Sequence, residues 1–164
     1  MSDVVRAAFG LGSNVGDRVQ HVRDAIAEIG DESGVSTVGV SQLVETDPVG
    51  GPEQPEFINA VVVVDTVLQP RELLALAQRC EQRAARVRTE RWGPRTLDVD
   101  LLAYDDVDSD DPELTLPHPR ATQRAFVMVP WAQVDPEFVV SGRTVEEWAD
   151  LLDASGVRRL RVDS

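Results

Sequence analysis

The sequence of 164 residues contains no lysine and a single cysteine, Cys80, and aromatic residues make up only 5% of it. One cysteine excludes an internal disulfide and a metal site built from cysteines alone. Apolar runs stay short of the about 18 residues that a membrane-spanning helix needs, and the N-terminus lacks a basic region followed by an apolar stretch. We therefore expect a soluble, cytoplasmic protein with one domain, residues 1–164.

Without lysine, all sixteen positive charges are arginines, and the net charge is −13. A surface this acidic repels nucleic acid and anionic membranes, which argues against both as partners. Six arginines nevertheless fall within residues 79–95, against only two glutamates. This cluster fits a dedicated site for a small polyanion, or a solvated helix face whose charges form ion pairs, and charge alone does not decide between them.

The pattern of apolar residues predicts an α+β fold of the ferredoxin-like type. Alternation and short apolar runs predict strands, and apolar residues at three- and four-residue steps predict helices. The expected strands are 4–11, 35–44, 57–66 and 96–104, and the expected helices are 17–29, the segment that begins at Pro70, 123–131 and 145–152. The order strand, helix, strand, strand, helix, strand predicts a mainly antiparallel sheet with helices on one face. Residues 47–56 and the acidic residues 105–113 are expected to be loops.

The glycines of residues 10–16 do not form a dinucleotide-binding fingerprint, because Val15 stands where a third glycine is required. A P-loop is excluded as well, since it needs a lysine. We expect these glycines to end the first strand in a turn where the backbone can approach a ligand.

Asp98 and Asp100 stand two residues apart in the expected strand 96–104. Such residues project from the same face of a strand, about 7 Å apart, while Leu97 and Val99 would face the core. Two neighbouring carboxylates repel each other unless a cation lies between them. Hard oxygen ligands in this number suit Mg²⁺, which shares its other positions with water and phosphate oxygens. The alternative is a pair of exposed aspartates on an acidic protein.

Arginines directly before this pair favour the metal interpretation. Arg95 ends a stiff turn just before the strand, and Arg86 and Arg88 alternate a few residues earlier. Guanidinium groups bind phosphate with two parallel hydrogen bonds and do not lose their charge. Ligands for Mg²⁺ and clamps for phosphate on one short segment are the components of a phosphoryl-transfer site.

Two further features have both a functional and a structural interpretation. Prolines on both sides of His118 hold it outside regular structure, where it can bind phosphate or simply stabilise a turn. Phe57 and Asn59 share one face of the third strand, which suits a flat heterocycle but equally a core phenylalanine beside an incidental amide.

Four motifs in series resemble the 6-hydroxymethyl-7,8-dihydropterin pyrophosphokinase family of the folate pathway. They are Gly-Ser-Asn at 12–14, Glu-Gln-Pro-Glu-Phe-Ile-Asn-Ala at 53–60, Arg-Trp-Gly-Pro-Arg-Thr-Leu-Asp-Val-Asp at 91–100 and Leu-Pro-His-Pro at 116–119. The third motif is highly specific, and the resemblance spans residues 4 to about 138. It implies a ferredoxin-like core and the transfer of pyrophosphate from ATP to the pterin's hydroxymethyl oxygen, with release of AMP.

The resemblance also implies roles for individual residues, and we expect the enzyme to be a monomer. Asp98 and Asp100 would bind two Mg²⁺ ions and, with Arg86 and Arg95, carry catalysis. The expected pterin-binding residues are Thr46, Val49, Phe57, Asn59, Trp92 and Phe126, and the expected ATP-binding residues are Glu81, Arg86, Arg88, Trp92, Arg95, His118 and Arg124. Some relatives have tyrosine where Phe57 stands, and the segment 86–92 is one residue shorter than in some members.

Two other classes of function compete with this interpretation. Another Mg²⁺-dependent phosphoryl or nucleotidyl transferase would need no pterin pocket, and Phe57, Asn59 and Phe126 would then belong to the core. A non-catalytic ferredoxin-like module that binds RNA would need a basic face with exposed aromatics, which the acidic, aromatic-poor chain does not favour.

Overall fold

The computed structural model describes residues 4–13, 17–46, 57–86 and 97–159. The strands are β1 (Val5–Ser13), β2 (Val35–Val40), β3 (Val44–Thr46), β4 (Phe57–Thr66), β5 (Asp98–Tyr104), β6 (Ser109–Asp111), β7 (Leu114–Leu116), β8 (Val139–Val140), β9 (Arg143–Thr144) and β10 (Val157–Arg159). The helices are α1 (Arg18–Gly30), α2 (Pro70–Arg86), α3 (Ala125–Val134) and α4 (Val145–Asp150), with a short 3-10 turn at Ala121–Gln123.

The main sheet is antiparallel and has six strands. Five of them follow the order β10-β3-β4-β1-β5, and β2 pairs with the far part of β4. The predicted strand 35–44 is therefore two strands, β2 and β3, which pair with β4 one after the other. With these two counted together, the chain has the predicted ferredoxin-like arrangement.

Helices cover both faces of the sheet, whereas the sequence predicted them on one. On the first face, α1 and α2 bury side chains such as Ile29 and Leu76 against Phe9 and Val62. On the second face, Trp131 of α3 packs in a separate core with the neighbouring valines of β4. Strand alternation explains this division, because successive residues of β4 point to opposite faces and both sets are apolar.

Local signals in the sequence set the starts of the helices. Asp17 precedes α1 and its carboxylate accepts a hydrogen bond from the amide of Gln20 at 3.2 Å. Pro70 begins α2 at the position where its missing N–H costs nothing. Thr144 and Glu147 form a reciprocal capping box at α4. Within the described ranges, no helix has the length and apolar character needed to cross a membrane.

The prediction that glycines end the first strand is wrong, because β1 runs through Gly10 and Gly12 to Ser13. Both glycines pair with β4 and β5 in regular register. Gly12 leaves room for the side chain of Asn59, and Gly10 leaves room for that of Leu102. Residues 14–16, the rest of the expected turn, lie outside the described residues.

The acidic stretch 105–113 is also only partly the solvated loop that was predicted. Ser109–Asp111 forms β6, which pairs with β7 as a hairpin. Arg71 of α2 makes ion pairs with Asp111 and, at 3.7 Å, with Glu113. Neutralisation by this arginine allows part of the acidic segment to fold back onto the protein.

Candidate active site

A cavity of about 530 Å³ opens on the second face of the sheet, bordered by β1, β4, β5 and the start of α3. Many of the residues singled out in the sequence line it, although they come from segments far apart in the chain. These residues are Thr46, Phe57, Asn59, Asp98, Asp100, His118, Arg124 and Phe126. The fold therefore brings the aspartate pair, the histidine between prolines and the aromatic–amide pair to one place.

The two aspartates lie on β5, the last strand at one edge of the main sheet. Between them, Val99 is buried in the core of the first face, so the carboxylates project to the second face into the cavity. The side chain of Asp100 is 48% exposed, which leaves it accessible to a cation from solvent. The predicted alternation of this strand is confirmed in the structure.

His118 stands beside Asp100, with 4.0 Å between its Nε2 and the Oδ2 of the aspartate. Its backbone amide donates to the carbonyl of Leu102 at 2.8 Å, where the register between β1 and β5 shifts. Its Nδ1 accepts from the amide of Arg120 at 3.3 Å, so in the neutral ring the hydrogen is on Nε2. Nε2 therefore presents a hydrogen-bond donor toward the aspartate end of the cavity.

Burial lowers the pKa of His118 below its ordinary value. The negative charge of Asp100 opposes this shift, and Arg124 and Arg120 add to it. Burial thus favours the neutral imidazole, in which Nε2 is a hydrogen-bond donor.

The floor of the cavity is a row of paired residues that crosses three strands. Gly12 of β1 lies opposite Asp98 of β5 on one side and opposite Asn59 of β4 on the other. Strands lie about 4.8 Å apart, so the backbones of Asp98 and Asn59 are separated by about 10 Å of sheet. A Cβ atom on Gly12 would stand 2.8 Å from Oδ1 of Asn59, which shows that a side chain does not fit there.

At the far end of this row, Asn59 is buried and held by one hydrogen bond. Its Nδ2 donates to Oγ1 of Thr46 at 2.9 Å. The residue is 5% exposed, yet it lines the cavity, so its remaining donor and acceptor positions face a ligand that enters there. Phe57, opposite Thr46 in the β3–β4 register, adds an aromatic face.

The wall opposite the sheet comes from the start of α3. The guanidinium of Arg124 lies 5.6 Å from the centre of the Phe126 ring, a cation–π contact. Phe126 thereby supplies a second aromatic ring to the cavity, and Arg124 supplies a positive charge close to His118. This wall combines apolar area for a flat ring with charge for an anion.

Glu81 does not line the cavity, although the resemblance places it near the nucleotide. It lies on α2, and its Oε2 accepts a hydrogen bond from the backbone amide of Val99 at 2.8 Å. The carboxylate thus contacts the strand between the two aspartates from the outer edge of the sheet.

Several expected site residues cannot be placed in the cavity. Val49, Arg88, Trp92 and Arg95 lie outside the described residues. Arg86 is the last residue of α2, and its side chain lies outside the part of the chain that the structure describes. Their roles remain predictions of the resemblance.

The structure adds residues that the sequence analysis did not single out. Asp153, Gly156 and Val157 line the cavity from the C-terminal segment, because β10 pairs with β3 and places Val157 opposite Thr46. The alternation of Val157–Arg159 is too short to predict a strand, and its partner is more than a hundred residues away. Ala125 and Val127 also contribute, as neighbours of Phe126.

The donor set at the aspartate end fits Mg²⁺ that is shared with a phosphate ligand. In the described part of the chain, no three His, Cys, Asp or Glu side chains form a group that could hold a metal by themselves. Asp98 and Asp100 are hard oxygen donors on one face, which agrees with a metal that takes few protein ligands and completes its shell with water and phosphate oxygens.

The family model and the individual relatives indicate the same family. Residues 8–136 match the family described as 7,8-dihydro-6-hydroxymethylpterin-pyrophosphokinase. A 2-amino-4-hydroxy-6-hydroxymethyldihydropteridine pyrophosphokinase from Methylorubrum extorquens is 41% identical over 157 residues, which cover 96% of this chain and 99% of the relative. The enzyme of the same name from Bacillus subtilis is 39% identical, with 93% and 88% of the two chains covered.

Solved structures share the fold. The Plasmodium falciparum HPPK-DHPS wild type, crystallised with pterin and p-hydroxybenzoate, superimposes with a TM-score of 0.69 at 15% identity. The match covers 92% of this chain but 43% of the longer Plasmodium chain. At this identity the likeness concerns the fold alone, and it agrees with the architecture described above.

Proposed function

Because the chain belongs to the 7,8-dihydro-6-hydroxymethylpterin pyrophosphokinase family, we propose that the cavity on the second face is its active site. The chain is a transferase of folate biosynthesis, which transfers pyrophosphate from ATP to the hydroxymethyl group of 6-hydroxymethyl-7,8-dihydropterin and releases AMP. The observation that carries the location is the row Asp98, Gly12, Asn59, which joins an anionic end and an amide end on one face of the sheet.

The aspartate end binds the triphosphate of ATP. Asp98 and Asp100 would hold Mg²⁺, two ions by the resemblance, and the metal supplies neutralisation of charge on the phosphate oxygens. His118 donates from Nε2 to a phosphate oxygen, and Arg124 adds a positive charge beside it. Arg86, Arg88 and Arg95 bind further oxygens, as the resemblance implies, and Trp92 closes over both substrates.

The amide end binds the pterin. Asn59 offers one donor and one acceptor to the edge of the heterocycle, and its bond to Thr46 fixes its orientation. Phe57 and Phe126 provide aromatic surface for the faces of the ring. Gly12 leaves room for the amide of Asn59 at this end of the cavity. The resemblance implies that Val49 also contributes to the pterin pocket.

Pyrophosphoryl transfer asks the protein mainly to position the reactants and to stabilise charge on oxygens. The cavity supplies both without a nucleophilic side chain. Burial raises the pKa of the only thiol, Cys80, to about 12, and this residue lies in the core of the first face. A covalent mechanism through cysteine therefore has no support, and direct transfer between the bound substrates is the proposed route.

We further propose that the enzyme works as a monomer in the cytoplasm. The buried cysteine and the use of ATP as co-substrate are consistent with a reducing compartment that supplies nucleotide. Sedimentation at assay concentrations tests the first point.

A product assay tests the proposed function. Protein, ATP, Mg²⁺ and 6-hydroxymethyl-7,8-dihydropterin are mixed, and the nucleotides are separated. AMP formed in equal amount to pterin pyrophosphate is the expected result. ADP would indicate an ordinary kinase on the same scaffold, and a lack of turnover would contradict an enzymatic role.

A further inference from the structure

The hydrogen bond from Val99 to Glu81 lies on the outer side of β5. Among residues 4–13, 17–46, 57–86 and 97–159, β5 is the last strand at this edge of the main sheet and pairs there with β1 alone. A terminal strand presents a row of backbone groups that lack a partner strand on the outer side. The amide of Val99 is such a group, and Oε2 of Glu81 accepts from it at 2.8 Å.

Glu81 is anchored more firmly than a surface glutamate. Cys80 and Ala84, its near neighbours on α2, are completely buried against the sheet. The helix therefore carries the carboxylate at a fixed height over the edge of β5. A hydrogen bond to a charged acceptor is stronger than one between neutral groups, so this contact restrains the strand.

The restrained residue lies between the two expected metal ligands. The side chain of Val99 is buried in the first core, and its amide is held by Glu81, so the residue is fixed on two sides. Asp98 and Asp100 flank it and project to the opposite face. Any rotation of this peptide segment would swing both carboxylates, and Mg²⁺ demands near-octahedral geometry.

We propose that Glu81 is a positioning residue, which acts on metal and triphosphate binding by holding the Asp98–Asp100 segment through the amide of Val99. The inference rests on the proposed function of that segment. It assigns Glu81 a role through the strand rather than through contact with ATP. The outer partners of metal ligands matter in this way generally, and their loss costs about 10- to 100-fold in metal affinity or activity.

Two substitutions separate the hydrogen bond from the charge. Glu81→Gln keeps the length of the side chain and an oxygen that accepts from Val99, but removes the charge. Glu81→Asp keeps the charge, but its side chain is one methylene shorter, so the carboxylate does not reach the amide of Val99. Gln82→Ala, at the exposed neighbouring position of α2, is the matched control.

The first readout is independent of activity. Amide hydrogen exchange at Val99, followed by NMR in metal-free and nucleotide-free protein, should be at least about tenfold faster in Glu81→Asp than in the wild type. Glu81→Gln and Gln82→Ala should exchange within a few-fold of the wild type. Equal exchange in all four proteins would overturn the proposal.

The second readout is the Mg²⁺ dependence of AMP formation. In Glu81→Asp, kcat should fall by about 10- to 100-fold and half-maximal activity should require more Mg²⁺, while pterin affinity of the metal-free protein stays unchanged. Glu81→Gln should keep most of the wild-type kcat and need about as much Mg²⁺ as the wild type. If Glu81→Gln is as impaired as Glu81→Asp while its Val99 amide exchanges at the wild-type rate, the charge of Glu81 acts without the restraint on the strand and the proposal is wrong.

The proposed function and this inference fail in different ways. If the wild type forms no AMP, the function is contradicted, and Mn²⁺ binding followed by electron paramagnetic resonance still compares the variants. Weaker Mn²⁺ binding in Glu81→Asp alone would support the positioning role. Identical Mn²⁺ affinity in the wild type and both Glu81 variants would overturn it.

Discussion

Oδ1 of Asn59 lies 2.8 Å from the position that a Cβ atom on Gly12 would occupy. The two residues face each other across β1 and β4, and the amide fills the space above the glycine. A methyl group at position 12 must therefore displace Asn59, which is buried and bonded to Thr46.

Gly12→Ala should weaken pterin binding by about tenfold, the worth of one hydrogen bond to a ligand, because the displaced amide no longer meets the heterocycle. Steady-state kinetics with each substrate varied in turn measure this effect as a rise in the pterin KM. Gly10→Ala is the comparison on the same strand and face, since a Cβ there would stand 3.2 Å from Cδ2 of Leu102 and would not contact Asn59. Equal pterin KM values in the two variants would contradict the assignment of Asn59.

Removal of either aspartate should abolish most of the turnover and leave the fold intact. Asp98→Ala and Asp100→Ala should each lower kcat by more than about 100-fold, since a metal ligand contributes more than an outer partner. Each substitution also relieves repulsion with the remaining carboxylate, so the unfolding midpoint should not fall. Asp98→Glu should also be impaired because Mg²⁺ tolerates little change in geometry.

The control for these variants is Asp106→Ala, which removes an exposed carboxylate from the nearby acidic segment. Its turnover should equal that of the wild type. Normal activity of both Asp98→Ala and Asp100→Ala at saturating Mg²⁺ would rule out the metal assignment.

The lowered pKa of His118 predicts a pH dependence of stability. The folded protein favours the neutral ring, so the unfolded chain takes up the proton first as the pH falls through its ordinary value of about 6.5. The stability contributed by the neutral ring is present above that pH and is lost as the pH falls toward the lower pKa of the folded state.

Urea unfolding at several pH values measures this contribution against His118→Gln, which cannot titrate. From pH 7.5 to pH 5.5, the free energy of unfolding of the wild type should fall relative to that of His118→Gln. A difference that stays constant over this range would show that the pKa of His118 is the same in the folded and unfolded states.

Patterns within one segment predicted the elements that position the site. The alternation of Asp98 and Asp100 with buried Leu97 and Val99 gave their common face, because strand geometry alone determines it. The prolines around His118 correctly predicted that it lies outside helices and strands. These inferences held because the physics involved is local.

Features that depend on contacts between distant segments were not predictable. Gly10 and Gly12 were expected to end a strand, since the space that Gly12 leaves for Asn59 is known only when β1 pairs with β4. The contribution of Val157 to the cavity depends on β10 meeting β3. The contact of Glu81 with Val99 likewise depends on how α2 packs against the edge strand.

In the proposed active site, one cavity has a nucleotide end at Asp98 and a pterin end at Asn59. Calorimetric titration of Asp98→Ala and Asn59→Ala tests this most directly, with 6-hydroxymethylpterin and with a non-hydrolysable ATP analogue plus Mg²⁺ as separate ligands. We expect Asp98→Ala to lose analogue affinity and keep pterin affinity, and Asn59→Ala to lose pterin affinity by about tenfold and keep analogue affinity. Equal losses for both ligands in both variants, or no loss in either, would contradict a cavity with two distinct ends.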